Sequence, residues 1–145
     1  MDQHLSFERL IQYDPGQPGI TLDISLRLSA SIVNFPAKVD TGASYCIFER
    51  RHGEALGLSV ESGLPQPIST VTGRFLTYGH EVTLSAAGYD FDSIVYFYAD
   101  EDLDRNVLGR HGWLDRVVLG LIDYEGKLLL SPYSLTCEPA AADSL

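Results

Sequence analysis

The stretch Phe35-Pro36-Ala37-Lys38-Val39-Asp40-Thr41-Gly42-Ala43-Ser44 carries the most information about the fold of this chain. Its first half is typical of a β-strand, and its second half is a tight turn in which Gly42 lets the backbone approach a ligand closely. The apolar run Tyr45-Cys46-Ile47-Phe48 follows the turn and predicts a second strand. The chain therefore presents one carboxylate, that of Asp40, at the end of a strand, with the Thr41 hydroxyl beside it.

Strand patterns dominate the rest of the chain. Residues 20–28 alternate between apolar and polar side chains, which predicts a half-buried strand, and residues 91–98 predict another. Residues 68–84 predict a long hairpin with Thr72-Gly73-Arg74 near its tip. A second hairpin is expected over residues 121–130, with its turn at Tyr124-Glu125-Gly126.

Shorter elements are expected between these strands. An N-terminal strand is predicted within residues 5–13, and Asn106-Val107-Leu108-Gly109 predicts a short buried strand that ends on glycine. Residues 49–58 predict a short helix that stops at Gly57, and residues 112–119 predict a second helix. The proline-rich residues 62–67 predict a loop.

Length and composition predict a single folded domain. A chain of 145 residues with 45% hydrophobic side chains is long enough to bury a core without disulfide or metal support. We expect this domain to span residues 1–137 and the acidic tail at residues 138–145 to be flexible. Cys46 and Cys137 are expected to be free, buried thiols.

The net charge of −10 limits the classes of partner. An acidic protein is repelled by a phosphate backbone and by an anionic bilayer surface, so neither a nucleic acid nor a membrane is an expected partner. The sequence begins without the basic and apolar segments of a secretory signal, and no apolar run approaches transmembrane length. The expected compartment is therefore the cytoplasm.

Three motifs occur in the order that a known family shows. Val39-Asp40-Thr41-Gly42-Ala43-Ser44 is the first, the hairpin around Val71-Thr72-Gly73 is the second, and Asn106-Val107-Leu108-Gly109-Arg110 is the third. Over roughly residues 20–131, the chain resembles the retropepsin-like aspartic proteases, which are the single-domain retroviral proteases and their cellular and bacterial relatives. The resemblance implies an all-β fold, a retropepsin-like acid-protease barrel with one or two short helices.

The resemblance also implies a reaction and an assembly. Peptide hydrolysis by carboxylates needs two of them that share one proton, one acting as a base on water and the other as an acid toward the scissile carbonyl. This chain contains Asp-Thr-Gly once. The expected enzyme is therefore a homodimeric endopeptidase that pairs Asp40 of each subunit on a two-fold axis and cleaves a peptide or protein substrate without a metal or an organic cofactor.

Family resemblance assigns roles to the residues around Asp40. Thr41 of each subunit is expected to hydrogen-bond across the axis, and Gly42 to leave room for the substrate backbone. Ser44 lies where family members place a polar residue that meets the substrate main chain. Ala43 lacks the hydroxyl that often stabilises the charged dyad in relatives, which predicts an activity optimum at mildly acidic rather than strongly acidic pH.

Two further segments receive roles from the resemblance. Val71-Thr72-Gly73 is expected to form a flap that contacts substrate, closes over it and excludes water. Val107-Leu108-Gly109 is expected to support the active-site loop, and Arg110 is expected to do so through a carboxylate. Because Ser44 stands where retroviral members place an aspartate, Glu49 or a residue of the other subunit is the expected partner of Arg110.

The sequence leaves other functions open. The same fold can serve as a non-catalytic peptide-binding or dimerisation module, or as an enzyme that is active only in a larger assembly or after trimming of its termini. The run Asp100-Glu101-Asp102-Leu103-Asp104 resembles the start of a calcium loop. However, Arg105 stands where glycine is needed and His111 where the bidentate glutamate belongs, which favours a solvated acidic turn over a metal site.

Overall fold

The computed structural model describes residues 1–134. Residues 135–145, which include Cys137 and the predicted acidic tail, lie outside the described residues, so the predicted domain boundary at residue 137 stays a prediction. Within residues 1–134 the strands are β1 (Arg9–Gln12), β2 (Thr21–Leu28), β3 (Ser31–Val39), β4 (Ile47–Phe48), β5 (Leu64–Thr70), β6 (Gly73–Ala86), β7 (Tyr89–Tyr98), β8 (Val107–Leu108), β9 (Val117–Ile122) and β10 (Lys127–Pro132). The α-helix is α1 (Arg50–Ala55), and 3-10 turns cover Val60–Ser62, Leu114–Arg116 and Asp123–Glu125.

Most strands belong to one closed sheet. Its order is β2-β3-β8-β4-β7-β6-β5, and an additional pairing of β2 with β6 closes it into a small barrel. Antiparallel pairs join β2 to β3 and β6 to β7, whereas β8 runs parallel to β3. The predicted all-β barrel with a short helix is confirmed.

The longest strand, β6, connects the barrel to a projecting hairpin. Its second half pairs with β2 from Thr83 to Ala86, and its first half pairs with β5 from Gly73 to Gly79. Because β5 lies outside the closed ring of strands, the β5–β6 hairpin extends beyond the barrel. This hairpin, hereafter the flap, occupies the position predicted for it and turns at Val71-Thr72.

A separate three-stranded sheet joins the two ends of the described chain. Its order is β1-β10-β9, and both of its pairings are antiparallel. Leu128 and Leu130 of β10 are fully buried and belong to the main hydrophobic core, together with Phe48, Phe97 and Trp113. The burial of these large side chains makes the small sheet part of the same folded unit as the barrel.

The helix α1 ends where the sequence predicts. Its C-terminal cap is Leu56, and Gly57 follows with a left-handed φ of 86°. Glycine adopts this conformation without the strain that a Cβ atom introduces. No helix within residues 1–134 combines the length and the apolar character needed to cross a bilayer.

The second helix predicted from the sequence is wrong. Residues 112–119 instead contain the 3-10 turn Leu114–Arg116 and the start of β9. Val117 and Val118 pair with Pro132 and Ser131 of β10. Branched side chains favour this extended pairing over a helix, so the hairpin with β10 begins earlier than residue 121.

The loop predicted over residues 62–67 is also wrong in part, because β5 begins at Leu64. Pro65 and Pro67 lie in this strand opposite Tyr78 and Leu76 of β6. An edge strand tolerates proline, since one of its sides needs no ladder hydrogen bond, and β5 ends the sheet. The first arm of the flap is therefore longer than predicted.

Candidate active site

Asp40 lies directly after β3, in a turn that its own side chain closes. Its backbone N–H donates to the carbonyl of Leu108 at 3.0 Å, and its carboxylate Oδ1 accepts the N–H of Gly42 at 2.9 Å. The Asp40 carbonyl accepts the N–H of Ala43 at 3.1 Å. The side chain is 36% exposed. One carboxylate oxygen is thus held by the turn, and the group as a whole stays accessible to a ligand.

The residues that follow β8 hold the Asp40 turn in place. The N–H of Arg110 donates to the carbonyl of Ala43 at 2.9 Å, and the N–H of His111 donates to the carbonyl of Ser44 at 2.8 Å. These are backbone contacts, so they do not depend on the side chains of the donors. They fix the path of the turn relative to the barrel.

Gly109 lets these two segments approach each other. A methyl group at this position would overlap the carbonyl oxygen of Tyr45 and lie 2.9 Å from the carbonyl oxygen of Ala43. Both neighbours are backbone atoms, so they have no rotamer into which they can move away. The contact explains why a glycine ends the short strand β8.

A cleft of about 350 Å³ opens between the Asp40 turn and the flap. The structure brings together on its walls the predicted residues Asp40, Gly42, Ala43, Ser44 and Val107. It adds Tyr98, Arg105 and the flap residues 67–70, to which sequence reasoning assigned no role in the site. Apolar contacts among Ile47, Tyr98 and Val107 form a small buried cluster beneath the cleft.

Other predicted residues lie away from the cleft walls. Leu108 and Gly109 are buried behind the Asp40 turn, which fits a supporting position. Thr41 is exposed at the tip of the turn and does not line the cleft.

The tip of the flap stands apart from the cleft in this structure. Val71, Thr72 and Gly73 are exposed and do not line it. The Thr70 hydroxyl closes the tip by accepting the N–H of Thr72 at 3.2 Å, and Gly73 has a φ of 143° that favours glycine. The predicted substrate contact of the flap tip stays a prediction, because closure over a ligand has to precede it.

The chain is similar to known proteins in sequence profile and in fold. Residues 28–111 match the profile of a family described as aspartyl protease. This chain belongs to the aspartyl protease family. Among solved structures it is similar to EIAV protease complexed with the inhibitor HBY-793, with a TM-score of 0.53 and 19% sequence identity over 69% of this chain and 88% of that chain. No curated protein sequence matches the chain significantly.

These comparisons confirm the predicted family and fold. The profile match includes both the Asp40 turn and the β8 segment that supports it. The structural similarity shows that the barrel of this aspartyl protease homologue has the retroviral protease fold. The family and the fold do not by themselves assign a role to any one residue, so each role is argued from the contacts of that residue.

Arg105 is the functional candidate that the sequence did not reveal. Its Nη2 lies 3.9 Å from Oδ2 of Asp40, the carboxylate oxygen that the turn leaves free. Arg105 follows an acidic run, where a charged side chain is usually solvated, so the pattern alone gives no reason to select it. Only the three-dimensional structure shows that its guanidinium reaches the cleft.

Arg110 has a different position from the one the family resemblance implies. Its side chain is exposed, and within residues 1–134 no carboxylate lies within ion-pair distance of it. Glu49, its predicted partner, binds Arg51 at 3.0 Å and is held by Asn106 instead. Glu49 is therefore not the partner of Arg110 in this structure. The other predicted partner, a residue of a second subunit, stays a prediction.

Glu49 and Asn106 form a polar link between the start of α1 and β8. The Asn106 side chain accepts the N–H of Glu49 at 2.9 Å and donates to its carboxylate. Burial opposes ionisation of Glu49, but the hydrogen bonds from Asn106 and Arg51 outweigh it and lower the pKa of this carboxyl. Burial lowers the pKa of the neighbouring His52, whose ring stacks on Phe35, although Glu49 opposes this shift.

Replacing Asn106 with Ala is expected to lower the free energy of unfolding by about 1–3 kcal/mol at neutral pH, because Glu49 then loses a backbone acceptor and a side-chain donor. The folded-state pKa of Glu49 is lowered, so its contribution is present above the ordinary pKa of glutamate and disappears as the pH falls through the folded value. Chemical denaturation of the wild type and of Asn106→Ala at pH 7 and at about pH 3 measures this. The difference in their free energies of unfolding should be smaller at the acidic pH.

The control for this measurement is Asn34→Ala, which changes an exposed asparagine of β3. It is expected to shift stability by less than about 0.5 kcal/mol at either pH. Equal effects of the two substitutions would contradict the structural role of Asn106.

Cys46 is a buried free thiol behind the Asp40 turn, and its burial is as predicted. It has no exposed surface, and burial is the main reason why its pKa rises to about 12. Its sulfur accepts the N–H of Gly109 at 3.4 Å. These features favour a packing role over a nucleophilic one.

In a Cys137→Ser variant, we expect the remaining Cys46 to be unreactive toward a thiol reagent at pH 8 in the native state and to react fully in denaturant. The raised pKa keeps the thiol protonated at that pH, and burial blocks access. Counting modified thiols by mass spectrometry checks this outcome. Rapid modification of the folded protein would show that the turn opens more readily than its packing indicates.

Within residues 1–134, no group of three or more histidine, cysteine, aspartate or glutamate side chains is arranged to hold a metal ion. The acidic run Asp100–Asp104 forms a local turn, in which the Asp100 side chain accepts the N–H of Asp102 at 2.8 Å. This hydrogen bond is typical of a solvated turn.

Proposed function

We propose that this chain is an aspartic endopeptidase that acts as a homodimer, in which Asp40 of each subunit contributes one carboxylate to a water-activating dyad. The observation that carries the proposal is the placement of Asp40. Its carboxylate is held by its own turn and is partly exposed beside a cleft. The Asp-Thr-Gly motif that contains it occurs once in the sequence. Membership of the aspartyl protease family supports the reaction class.

One chain cannot form the dyad, because the dyad needs two carboxylates in contact and each chain contributes one. Two carboxylates in close contact cannot both ionise, so they hold one proton between them. The ionised partner then takes a proton from water, and the protonated partner donates to the scissile carbonyl oxygen. Water adds to the carbonyl carbon and gives a tetrahedral intermediate. The proton taken from water then passes to the amide nitrogen as the C–N bond breaks, which releases an amine and a carboxylic acid and returns the dyad to its one shared proton.

The exposed tip of the Asp40 turn supports the homodimer. Thr41 and Gly42 are accessible in the single chain, so a second copy can approach this turn without rearrangement of the barrel. In the proposed dimer, Thr41 bonds across the axis, while Gly42 and Ser44 border the substrate backbone. Hydrogen bonds from the β8 segment hold the turn in one conformation, which limits the reorganisation that pairing requires.

The flap supports an extended peptide as substrate. Residues 67–70 of β5 line the cleft, and β5 is an edge strand whose outer side has no neighbour within residues 1–134. An extended peptide can add to such an edge through main-chain hydrogen bonds. Closure of Val71-Thr72-Gly73 over that peptide would then exclude water other than the nucleophile.

The test is digestion of a proteome-derived peptide library by the wild type and by Asp40→Asn, with cleavage sites identified by mass spectrometry. Sites that the wild type cuts and the variant leaves intact are the expected result. Identical cleavage by both proteins would eliminate Asp40 as the catalytic group. Size-exclusion chromatography with light scattering on the same samples measures the assembly, for which a dimer is expected.

A further inference from the structure

One basic side chain lines the cleft. Among the lining residues, Arg105 carries the only positive charge and Asp40 the only negative one. The guanidinium also acts on Tyr98 at the cleft wall: burial raises the pKa of this tyrosine, and the charge of Arg105 opposes the increase. The distance of 3.9 Å between Nη2 of Arg105 and Oδ2 of Asp40 places the guanidinium at the cleft.

Within the part of the chain that the structure describes, the Arg105 guanidinium donates no hydrogen bond to another residue. Its one ionic neighbour within residues 1–134 is Asp40, and the distance of 3.9 Å is too long for a hydrogen bond. None of the carboxylates in the preceding run, Asp100–Asp104, lies within ion-pair distance of it. In contrast, Arg50 binds two carboxylates and the Ala99 carbonyl, so an arginine of this chain that serves structure has its donors occupied.

The ion pair with Asp40 does not explain the position of Arg105. Its side chain is 61% exposed, and a long pair between partly exposed groups contributes little to stability. A guanidinium has five N–H donors in a planar fork that matches a carboxylate. The site therefore holds a charged donor group with free capacity, next to the position where substrate would lie.

The charge of the whole protein makes this group selective. With a net charge of −10, the surface of the protein repels acidic ligands in general. A site that binds an acidic ligand therefore needs a positively charged side chain of its own. An acidic side chain in the cleft would gain a charge-assisted contact with Arg105. A basic side chain would meet the same guanidinium with repulsion.

We propose that Arg105 is a specificity-determining residue, which selects peptides that carry a glutamate or aspartate side chain close to the scissile bond. This inference rests on the proposed function, since it names the substrate class of the same cleft. The acidic side chain binds the free guanidinium donors and draws the guanidinium away from Asp40. Arg105 thus acts on the choice of substrate and takes no part in proton transfer.

The experiment uses three peptide pools that are identical except for a central Glu, Gln or Lys. Cleavage by the wild type is expected to favour the Glu pool over the Gln pool by about 5- to 30-fold in kcat/KM, with the Lys pool cleaved least. Arg105→Gln should abolish this preference, Arg105→Lys should keep part of it, and Arg105→Glu should reverse it toward the Lys pool. Arg27→Gln is the matched control, because it removes a partly exposed arginine that pairs with Asp90 at 3.5 Å and does not line the cleft.

A second arm separates the two proposals. Binding of the same pools is measured by fluorescence anisotropy in the Asp40→Asn background, with and without Arg105→Gln. Cleavage without charge preference would overturn the role of Arg105 and leave the protease function standing. Absence of cleavage together with a Glu preference in binding that Arg105→Gln removes would overturn the protease function and support the acidic ligand site. Absence of any charge preference in both arms would overturn the role of Arg105.

Discussion

Replacement of Asp40 with Asn is expected to lower kcat/KM by at least about 10³-fold, because an amide of the same shape neither accepts the proton of water nor shares a proton with its partner. The fold should persist, since the asparagine Oδ1 can still accept the N–H of Gly42 that closes the turn. Peptide cleavage assays and circular dichroism on the same preparation measure the two effects separately. A dichroism spectrum like that of the wild type is expected, in which case the loss of activity reports on catalysis and not on unfolding.

The chain offers a closely matched control in Asp14→Asn. Asp14 closes a turn of the same kind, in which its Oδ1 accepts the N–H of Gly16 at 2.8 Å, but it lies outside the cleft. This variant should keep wild-type activity. Loss of activity in both variants would attribute the effect to turn geometry rather than to the carboxylate.

Mixing subunits tests whether the dyad crosses a molecular axis. When wild type and Asp40→Asn exchange freely at equal concentration, random pairing of subunits leaves about one quarter of the molecules as wild-type dimers. Activity should therefore fall to about one quarter of that of the unmixed enzyme at the same total concentration, because a heterodimer lacks one carboxylate of the dyad. A monomeric enzyme would retain about one half, and that value would contradict the homodimeric mechanism.

Residues close together in the sequence explain why much of this fold could be predicted. The alternation over β2 and the turn at Gly126 are local signals, and both elements occur as expected. The sequence instead predicts a helix for the first residues of β9, Val117 and Val118, because the 3-10 turn Leu114–Arg116 before them mimics a helix start and the hairpin that they extend is predicted only from residue 121. Helical and extended patterns are hard to tell apart over a few residues, and pairing with the neighbouring strand decides between them.

In the candidate site, the residues with local contacts could be predicted from the sequence and those with contacts far along the chain could not. The Asp40 turn could be predicted because the hydrogen bonds that close it, from the N–H groups of Gly42 and Ala43, lie within a few residues of the carboxylate. Arg105 could not, since it precedes β8 by two residues and reaches Asp40 only through the length of its side chain. The link from Asn106 to Glu49 joins elements far apart in the chain. Both depend on the parallel register of β8 with β3, which no local pattern specifies.

Replacement of Gly109 with Ala is expected to lower the free energy of unfolding by about 3 kcal/mol or more, and to reduce activity through displacement of the Asp40 turn. The added methyl would overlap the Tyr45 carbonyl oxygen and lie 2.6 Å from the carbonyl carbon of the same residue. Relief requires the backbone after the turn to move, which in turn strains the hydrogen bonds from Arg110 and His111. Thermal and chemical denaturation measure the stability, and kcat/KM measures the displacement.

The comparison that isolates this effect is Gly57→Ala, at the end of α1. Gly57 has a φ of 86°, and a methyl group added there would meet no atom within 4 Å, so its substitution carries only the strain of left-handed backbone, about 1–2 kcal/mol. Gly109 has the opposite combination, ordinary backbone and crowded surroundings. If Gly109→Ala fails to fold while Gly57→Ala folds, the crowding is severe, as expected. If Gly109→Ala is as stable and active as Gly57→Ala, the β8 segment does not hold the Asp40 turn as tightly as the structure indicates.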